Sequence, residues 1–572
     1  MSRKNSMFAA IVAVALAFGS LPGFAQAPAK TQPAKPPKQA KAKARAAVAK
    51  PLPGETRAQM RARVAREQAL AEKIAAIMAE PNIARGWWGI HVVSLETGRT
   101  LFEMNPDKLF TPASNTKMFT TATALATLGP DYKTRTTVET NGTLDLHGRV
   151  TGDLILVGRG DPNLSGRVIP YAMRTERRTP HLKLLEELAD QVAAKGVKVV
   201  DGDIVGDDSY FAFERYPDGW SSDDLMWEYG APVSALTLND NVVFVNILPG
   251  SSVGDKAFLR LDPDTTYYEI DNRITTTAAA SGPRRISIDR QPGSRTITLW
   301  GTIPLDDAGD SEALAIDDPA EFAAQQFRAM LQLRGVIVRG KQRAHHIPLS
   351  QMPAPVAQAA GSSGGNGGSM GGGTDTALAT NSPQRTVLAA KESYTMAEDV
   401  RIINKISQNL HAELALRLVG REKGKAPTSE AALEVMKGTL TQAGLLPEEF
   451  LFFDGSGLSR QNLVTPRAVT KLLLFADKQP WGPLFRDTLP VAGIDGSLSE
   501  RMKTGVAQGR VSAKTGTLGN VNALGGYITT VAGERLAFSV FSNHHRLTSR
   551  GAIKVIDRIV EAITDDGRPA AR

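Results

Sequence analysis

Phe110-Thr111-Pro112-Ala113-Ser114-Asn115-Thr116-Lys117-Met118-Phe119 is the stretch around which the rest of the chain is organised. It leads from a proline-containing loop into an apolar segment, rich in threonine and alanine, that stops at Gly129-Pro130. Serine favours helix starts and a Gly-Pro pair ends helices, so the sequence predicts a buried helix with Ser114 at its N-terminus. Lys117 follows three residues later and should lie on the same helical face, within reach of the Ser114 hydroxyl.

The Ser114 and Lys117 pair has the chemistry of an activated nucleophile. A serine hydroxyl is a weak nucleophile at neutral pH and needs a neighbouring group that can hold its proton. A lysine can do this only if burial or a second cation lowers its pKa. Met118, Phe119 and Leu125 lie close to Lys117 in the sequence and argue against an exposed helical face. The Ser-x-x-Lys spacing does not recur elsewhere in the sequence.

Length, composition and the N-terminal residues predict an exported protein of several domains. At 572 residues the chain is too long for one hydrophobic core, so two or three domains are expected. A charged start, an apolar run from Met7 to Leu21 and small residues before Gln26 indicate a secretory signal peptide over residues 1–25. An uncleaved membrane anchor is the alternative. Cysteine is absent, which excludes thiol catalysis and cysteine metal sites.

The basic character of the chain is concentrated in residues 26–66. This segment holds eleven Lys and Arg against Glu55 alone, whereas the whole chain has a formal net charge of +8. Its Pro/Ala/Lys composition predicts a disordered tail, although helical spacing of apolar and alanine residues begins at Thr56. Two functions stay open for the tail, attraction to anionic envelope polymers or a solvated spacer. Without interleaved aromatic residues, nucleic acid is not an expected partner.

Histidine gives no sign of a metal site. The sequence contains eight histidines, and none forms a His-Glu-x-x-His arrangement. The adjacent pairs His345-His346 and His544-His545 would point in diverging directions on a strand, so we predict surface positions for them.

Three motifs follow one another along the chain. They are Ser114-x-x-Lys117, Ser407-x-Asn409 and Lys514-Thr515-Gly516. This set is shared by penicillin-binding proteins and serine β-lactamases. A second Lys-Thr-Gly begins at Lys503, in a charged stretch. We assign the motif to Lys514, because the residues on either side of it suit a strand that lines a cleft.

The sequence resembles the D-alanyl-D-alanine carboxypeptidase/endopeptidase family, peptidase family S13, over nearly all of residues 80–560. Further blocks carry the resemblance, among them Gly152-Asp153-Leu154, Gly230-Ala231-Pro232 and the turn from Asp454 to Arg460. The long gap between the first two motifs also fits this family.

The resemblance implies an α+β multidomain protein. A penicillin-binding, β-lactamase-like transpeptidase domain, an antiparallel sheet with helices, would comprise residues 67–138 and 388–572. Residues 139–350 would be inserted α+β domains, and residues 351–387 a Gly/Ser-rich flexible loop.

The resemblance also implies the reaction. Ser114 would attack the carbonyl between two D-alanines while Lys117 takes its proton. Ser407 and Asn409 would relay the proton to the leaving group and hold Lys117 and the substrate amide. The implied substrates are peptidoglycan peptides and β-lactams, acted on in the periplasm, and no metal or cofactor is called for.

The Lys-Thr-Gly segment and its neighbours would bind the substrate. Lys514 would keep Lys117 neutral and, with Thr515, bind the terminal carboxylate of the substrate. This carboxylate site includes Gly516, and backbone N–H groups of Ser114 and Thr517 would form the oxyanion hole.

Three further residues match family positions that recognise the side chain at the third position of the peptide. They are Asp224, Tyr229 and Arg460. An acid and a guanidinium together suit the zwitterionic end of a meso-diaminopimelate side chain. A structural ion pair or two solvated charges are the alternatives for Asp224 and Arg460.

Two other functions remain for the chain as a whole. A serine β-lactamase would share the nucleophile but should carry a smaller insertion. A non-catalytic wall-binding protein should have lost a motif residue, and none is lost. The sequence does not predict an oligomeric state.

Overall fold

The computed structural model describes residues 54–171, 180–352 and 385–565, all within one contact unit of the chain. In these ranges the chain forms ten α-helices, and each is too short or too polar to span a bilayer. The helices, α1 to α10 in chain order, are Arg57–Met78, Thr116–Thr127, Lys183–Ala194, Pro319–Leu333, Met396–Lys405, Asn409–Lys423, Ser429–Gln442, Pro466–Asp477, Gly482–Thr488 and Ser549–Thr564. The strands, β1 to β21, are Trp87–Ser94, Thr100–Met104, Arg135–Thr140, Arg149–Val150, Leu154–Val157, Val199–Val200, Ile204–Asp207, Val242–Leu248, Phe258–Asp262, Glu269–Thr277, Arg285–Asp289, Thr296–Pro304, Asp310–Ala315, Ile337–Val338, Gln342–His345, Thr386–Glu392, Phe450–Leu451, Leu463–Val464, Val511–Leu518, Val521–Thr529 and Arg535–Asn543.

A five-stranded sheet carries the Lys-Thr-Gly motif. Its strand order is β19-β20-β21-β1-β2, and every neighbouring pair is antiparallel. The middle strands read as almost continuous apolar runs because both faces are covered. On one face Val540 packs with Ile74 of α1 and Ile559 of α10, and on the other Phe541 packs with Val469 of α8. Strands β1 and β2 form an antiparallel hairpin.

A three-fold repeat of strand, bend and strand organises part of the region between the first two motifs. The pairs are β4 with β5, β6 with β7, and β14 with β15, and equivalent strands lie side by side in parallel. The bends are joined by a hydrogen-bond ladder. The Asp153 carboxylate accepts the backbone N–H of Asp203 at 2.7 Å, and Asp203 accepts that of Lys341 at 2.8 Å. Each bend contains a glycine, at Gly152, Gly202 and Gly340, and in the first two bends an aspartate follows it.

Two segment boundaries differ from the sequence-based expectation. Helix α1 begins at Arg57, so the last ten residues of the predicted tail are helical. The reason is local, because Thr56 and Gln59 form a capping box and Arg63 pairs with Glu55 and Glu67. Strand β16 begins at Thr386, so the predicted loop ends before that residue. The α+β fold class is confirmed, and the remaining domain boundaries stay predictions. The predicted signal peptide and residues 353–384 of the loop lie outside the described residues.

The prediction that all four paired histidines lie on the surface is wrong for two of them. His346 is half-buried between the carboxylates of Asp208 and Asp318. His545 is buried, and its ring contacts Asn522 Oδ1 at 2.9 Å. Adjacent positions on a chain segment face opposite sides, so one histidine of each pair turns inward while the other stays exposed.

Two glycine-to-alanine changes should have opposite effects on stability. In β7, a Cβ added at Gly206 would meet the carbonyl oxygen of Ala320 in α4, whereas Gly438, at an exposed position of α7, has open space around it. Gly206→Ala should lower the free energy of unfolding by about 1–3 kcal/mol through overpacking. Gly438→Ala should raise it by up to about 1 kcal/mol, the helix-propensity difference. Urea unfolding of both variants measures this, and equal effects would contradict the close packing of β7 on α4.

Candidate active site

Ser114 lies where a loop turns into helix α2. It occupies the middle of a 3-10 turn, Ala113–Asn115, that leads directly into the helix, which agrees with the predicted helix start. The turn is fixed from two sides. Asn115 Nδ2 donates to the carbonyl oxygen of Lys514 at 3.0 Å, and Gly457 packs on the carbonyl of Ala113 without room for a Cβ. Ser114 is therefore tied to strand β19 and to the turn after Asp454.

The Lys117 amine makes three polar contacts, all short. Its Nζ lies 2.6 Å from Asn409 Oδ1, 2.6 Å from the carbonyl oxygen of Ser456 and 3.0 Å from Ser114 Oγ. The first two partners can only accept, so they take the two hydrogens of a neutral amine. The lone pair then faces the Ser114 hydroxyl. This is the arrangement that a proton acceptor for serine requires.

Burial is the main reason that Lys117 can be neutral. The side chain is fully buried, and burial lowers its pKa to about 7, against the carboxylates of Asp454 and Glu413, which raise it. Burial also holds the pKa of Lys514 well below its usual value, and repulsion from Lys117 lowers it further. The resemblance implied that Lys514 would help keep Lys117 neutral, and this role stays a prediction. Burial is the largest cause of the lowered pKa of both lysines.

The Ser-x-Asn motif lies at a break between two helices. Helix α5 ends at Lys405 and α6 begins at Asn409, and Ser407 between them adopts a φ of 65°. Ser407 Oγ accepts a hydrogen bond from Lys514 Nζ at 2.8 Å. Asn409 Nδ2 donates to the carbonyl oxygen of Tyr229 at 2.7 Å while its Oδ1 contacts Lys117. The break thus points both motif side chains at the two lysines.

The structure distinguishes between the two Lys-Thr-Gly sequences. Lys514 lies on β19 and its Nζ contacts Ser407 Oγ and the carbonyl of Thr515, whereas exposed Lys503 pairs with Glu500 on the surface. A Cβ at Gly516 would lie 2.7 Å from the carbonyl oxygen of Pro112. Glycine at this position lets β19 approach the loop before Ser114.

A cleft of about 480 Å³ opens above these groups. Its walls are made by Ser114, Asp224, Tyr229, Ser407, Asn409, Gly457, Leu458, Arg460, Thr515, Thr517, Leu518 and Gly519. Lys117 and Lys514 lie buried beneath it. The structure therefore brings all the sequence-predicted site residues together in or beside one cleft. At its edge, Arg460 Nη1 contacts Asp224 Oδ2 at 2.8 Å, with the Arg460 side chain 48% exposed.

Three residues of the site have no predicted role from sequence. Ser456 supplies the carbonyl that holds Lys117, and the buried carboxylate of Glu413 accepts the N–H groups of Gly455 and Ser456 at 2.7–3.1 Å. Asp454 accepts the N–H groups of Gly457 and Ser459 at 2.9 and 2.6 Å. The Asp-Gly-Ser-Gly turn was the available signal, whereas nothing in the sequence marked Glu413.

Comparison with known proteins identifies the family. The sequence profile described as the D-Ala-D-Ala carboxypeptidase 3 (S13) family matches residues 70–363 and 365–563. The chain belongs to the S13 family. A D-alanyl-D-alanine carboxypeptidase of Actinomadura sp. (strain R39) is 35% identical over 84% of this chain and 82% of its own length. The carboxypeptidase DacB of Haemophilus influenzae is 25% identical over 80% of this chain and 85% of its own length.

A solved structure of an S13 protein supports the fold. The crystal structure of penicillin-binding protein 4 (dacB) from H. influenzae matches with a TM-score of 0.69 at 21% identity, over 86% of this chain and 98% of that one. The predicted penicillin-binding fold is confirmed. As a member of the S13 family, the protein is a serine-type D-Ala-D-Ala carboxypeptidase, a hydrolase.

Proposed function

We propose that this S13 enzyme cleaves peptidoglycan stem peptides and their crosslinks through an acyl-enzyme formed on Ser114. The observation that carries this proposal is the geometry of Lys117. Two acceptors, Asn409 Oδ1 and the Ser456 carbonyl, take its N–H groups, and Ser114 Oγ lies 3.0 Å from its nitrogen on the remaining side. A neutral amine in this position removes the serine proton as the hydroxyl attacks.

Proton transfer continues through the second and third motifs. Ser114 Oγ bonds to the carbonyl carbon, its proton moves to Lys117, and the C–N bond to the leaving amine then breaks. Ser407 Oγ, hydrogen-bonded to Lys514 Nζ, gives its proton to that amine and regains one from Lys117, which becomes neutral again. The N–H groups of Ser114 and Thr517 stabilise the oxyanion, each contributing about 3 kcal/mol to the barrier reduction. Water then hydrolyses the ester and restores Ser114.

One assay tests the proposed substrates. Purified protein is incubated with uncrosslinked pentapeptide muropeptides and with D-Ala-crosslinked dimers, and the products are separated by chromatography. Release of D-alanine from the first and monomers from the second is expected. A protein that leaves both untouched but turns over penicillin rapidly would be a β-lactamase, and the proposal would be wrong.

We extend the proposal to the peptide side chain that the cleft accepts. Asp224 and Arg460 form an ion pair at the cleft edge, and Tyr229 lies beside them with 44% of its surface exposed. A diaminopimelate side chain ends in an amine and a carboxylate. These two groups would replace the partners of the existing pair, the amine at Asp224 and the carboxylate at Arg460, because Arg grips a carboxylate through two hydrogen bonds.

Arg460→Ala should lower kcat/KM on diaminopimelate-containing peptides by tenfold or more. A lost hydrogen bond to a charged group costs roughly 1.5–3 kcal/mol, which gives this factor. Benzylpenicillin lacks the side chain and should acylate the variant at nearly the normal rate. Steady-state peptide hydrolysis and penicillin acylation measure the two effects.

Arg339→Ala is the matched control for this variant. Arg339 forms an ion pair of the same kind with Asp201 at 2.9 Å, is similarly exposed, and does not line the cleft. It should leave both substrates unaffected. Equal losses on peptide and penicillin in Arg460→Ala would mean that Arg460 supports the fold or the nucleophile instead of recognising the peptide.

We also propose that the enzyme acts in the periplasm, exported by a signal peptide that ends at Ala25. The basic residues that follow could then hold it near anionic envelope polymers. Both statements rest on the N-terminal sequence alone, since residues 1–53 lie outside the described part of the chain.

A further inference from the structure

A buried chain of charged side chains joins the region between the first two motifs to the helix break. From that region, Arg167 Nη2 donates to Asp240 Oδ2, and from α6 the His411 ring contacts Asp240 Oδ1 at 3.3 Å. The other ring nitrogen of His411 contacts Asp399 Oδ1, on α5, at 2.7 Å. All four side chains are buried. The charges alternate in sign from Arg167 to Asp399, so the four side chains form one connected network.

His411 holds the two sides of the helix break together as an imidazolium. Each of its ring nitrogens faces a carboxylate oxygen, and an ionised carboxylate only accepts hydrogen bonds. Both nitrogens must therefore carry hydrogens. Burial acts against this charge, but Asp399 and Asp240 together raise the pKa of the ring above its ordinary value. Since α5 carries Asp399 and α6 carries His411, the imidazolium bridges the two helices.

The network reaches the Ser-x-Asn motif through one side chain. Gln408 Nε2 donates to Asp240 Oδ2 at 3.0 Å, and Gln408 Oε1 accepts the backbone N–H of Leu410 at 2.8 Å. Gln408 lies between Ser407, which has a positive φ, and Asn409. Non-glycine residues adopt such a φ at a cost, and they do so when their surroundings hold them there. The hydrogen bond between Gln408 and Asp240 provides such surroundings for the motif.

We propose that Asp240 and His411 are positioning residues that fix the break between α5 and α6, so that Ser407 meets Lys514 and Asn409 meets Lys117. Residues 139–350 then help to hold the catalytic motif in place, and they also supply Asp224 and Tyr229 at the edge of the cleft. This inference rests on the proposed function, since it concerns the rate at which Ser114 is acylated.

Asp240→Asn and Gln408→Met test the inference by different routes. Asp240→Asn should keep the positive φ of 54° at this position, because asparagine tolerates it. An amide nitrogen in place of Oδ2, however, can accept a hydrogen bond from neither Arg167 nor Gln408. Gln408→Met leaves the four charged side chains in place and removes only the hydrogen bond that connects Asp240 to the motif. In stopped-flow acylation by a fluorescent penicillin, each variant should acylate at least tenfold more slowly, with the dissociation constant of the initial complex nearly unchanged.

The chain provides a matched control for the histidine. His346 also lies between two carboxylates, 2.7 Å from Asp208 and 3.1 Å from Asp318, but it contacts no motif residue within the described ranges. His411→Gln should slow acylation by tenfold or more, whereas His346→Gln should acylate at the wild-type rate. If His411→Gln does not fold, Gln408→Met decides the question alone.

A double-mutant cycle separates positioning from general stability. In a Ser407→Ala background, where the residue to be positioned has lost its hydroxyl, Gln408→Met should slow acylation much less than it does in the wild type. Wild-type acylation rates in Gln408→Met, or full additivity with Ser407→Ala, would overturn the inference. Failure of the proposed function would appear differently, as absence of a Ser114 adduct in the wild-type protein.

Discussion

Ser114→Ala is expected to form no covalent adduct with benzylpenicillin, whereas the wild-type protein forms one. The hydroxyl of Ser114 lines the cleft, and the described part of the chain places it 3.0 Å from the Lys117 amine. The Ser114 oxygen is the atom that we propose bonds to the β-lactam carbonyl, so the variant lacks the atom that the adduct requires. Intact-protein mass spectrometry after incubation with excess benzylpenicillin measures the adduct directly. Peptide hydrolysis should be lost in parallel.

Ser497→Ala is the control for this experiment. Ser497 is an exposed serine whose hydroxyl lies 2.8 Å from Thr515 Oγ1, so it is close to the cleft wall, but no lysine contact is recorded for its hydroxyl within the described ranges. This variant should still form one adduct. Ser407→Ala should also form it, more slowly. An adduct that survives in Ser114→Ala would show that another residue is the nucleophile.

Local sequence was enough to predict the helix that follows Ser114. The turn at Pro112, the helix start at Ser114 and the helix end before Gly129-Pro130 depend on neighbouring residues, and the structure has all three. The choice of Lys514 over Lys503 also depended on local pattern, because the residues around Lys514 predict a strand whereas Lys503 lies in a charged stretch. Local pattern therefore predicted Ser114 at the start of the helix that carries Lys117, whereas the α+β fold class came from the resemblance to the S13 family.

Contacts between distant segments could not be predicted in the same way. The break at Ser407 interrupts an apolar spacing that continues from Met396 to Val419, and Gln408 beside it donates a hydrogen bond to Asp240, far away in the chain. Glu413 looks like an ordinary helical residue until its carboxylate is seen to hold the N–H groups of Gly455 and Ser456. Buried polar groups take their roles from partners that no local pattern reveals.

The pH dependence of acylation should report the Lys117 amine. Burial lowers its pKa to about 7, so its neutral, proton-accepting form becomes populated as pH rises through that value. The acylation rate should therefore increase with pH around 7 and level off above it. Because the Glu413 and Asp454 charges raise this pKa, Glu413→Gln should move the rising part of the profile to lower pH. Stopped-flow acylation between about pH 5 and 9 measures both profiles.

Lys117→Met should slow acylation by about 10³-fold and remove the rise near pH 7. General base catalysis contributes typically about 10²–10⁴-fold, and methionine fills the buried space without a nitrogen that could take the Ser114 proton. Lys503→Met is the control, because Lys503 heads the second Lys-Thr-Gly sequence but pairs with Glu500 at the surface. It should keep the wild-type rate and pH profile. A Lys117→Met protein that still shows the rise near pH 7 would mean that another group accepts the serine proton. Glu413, whose pKa burial raises to about 7, would then be the next residue to replace.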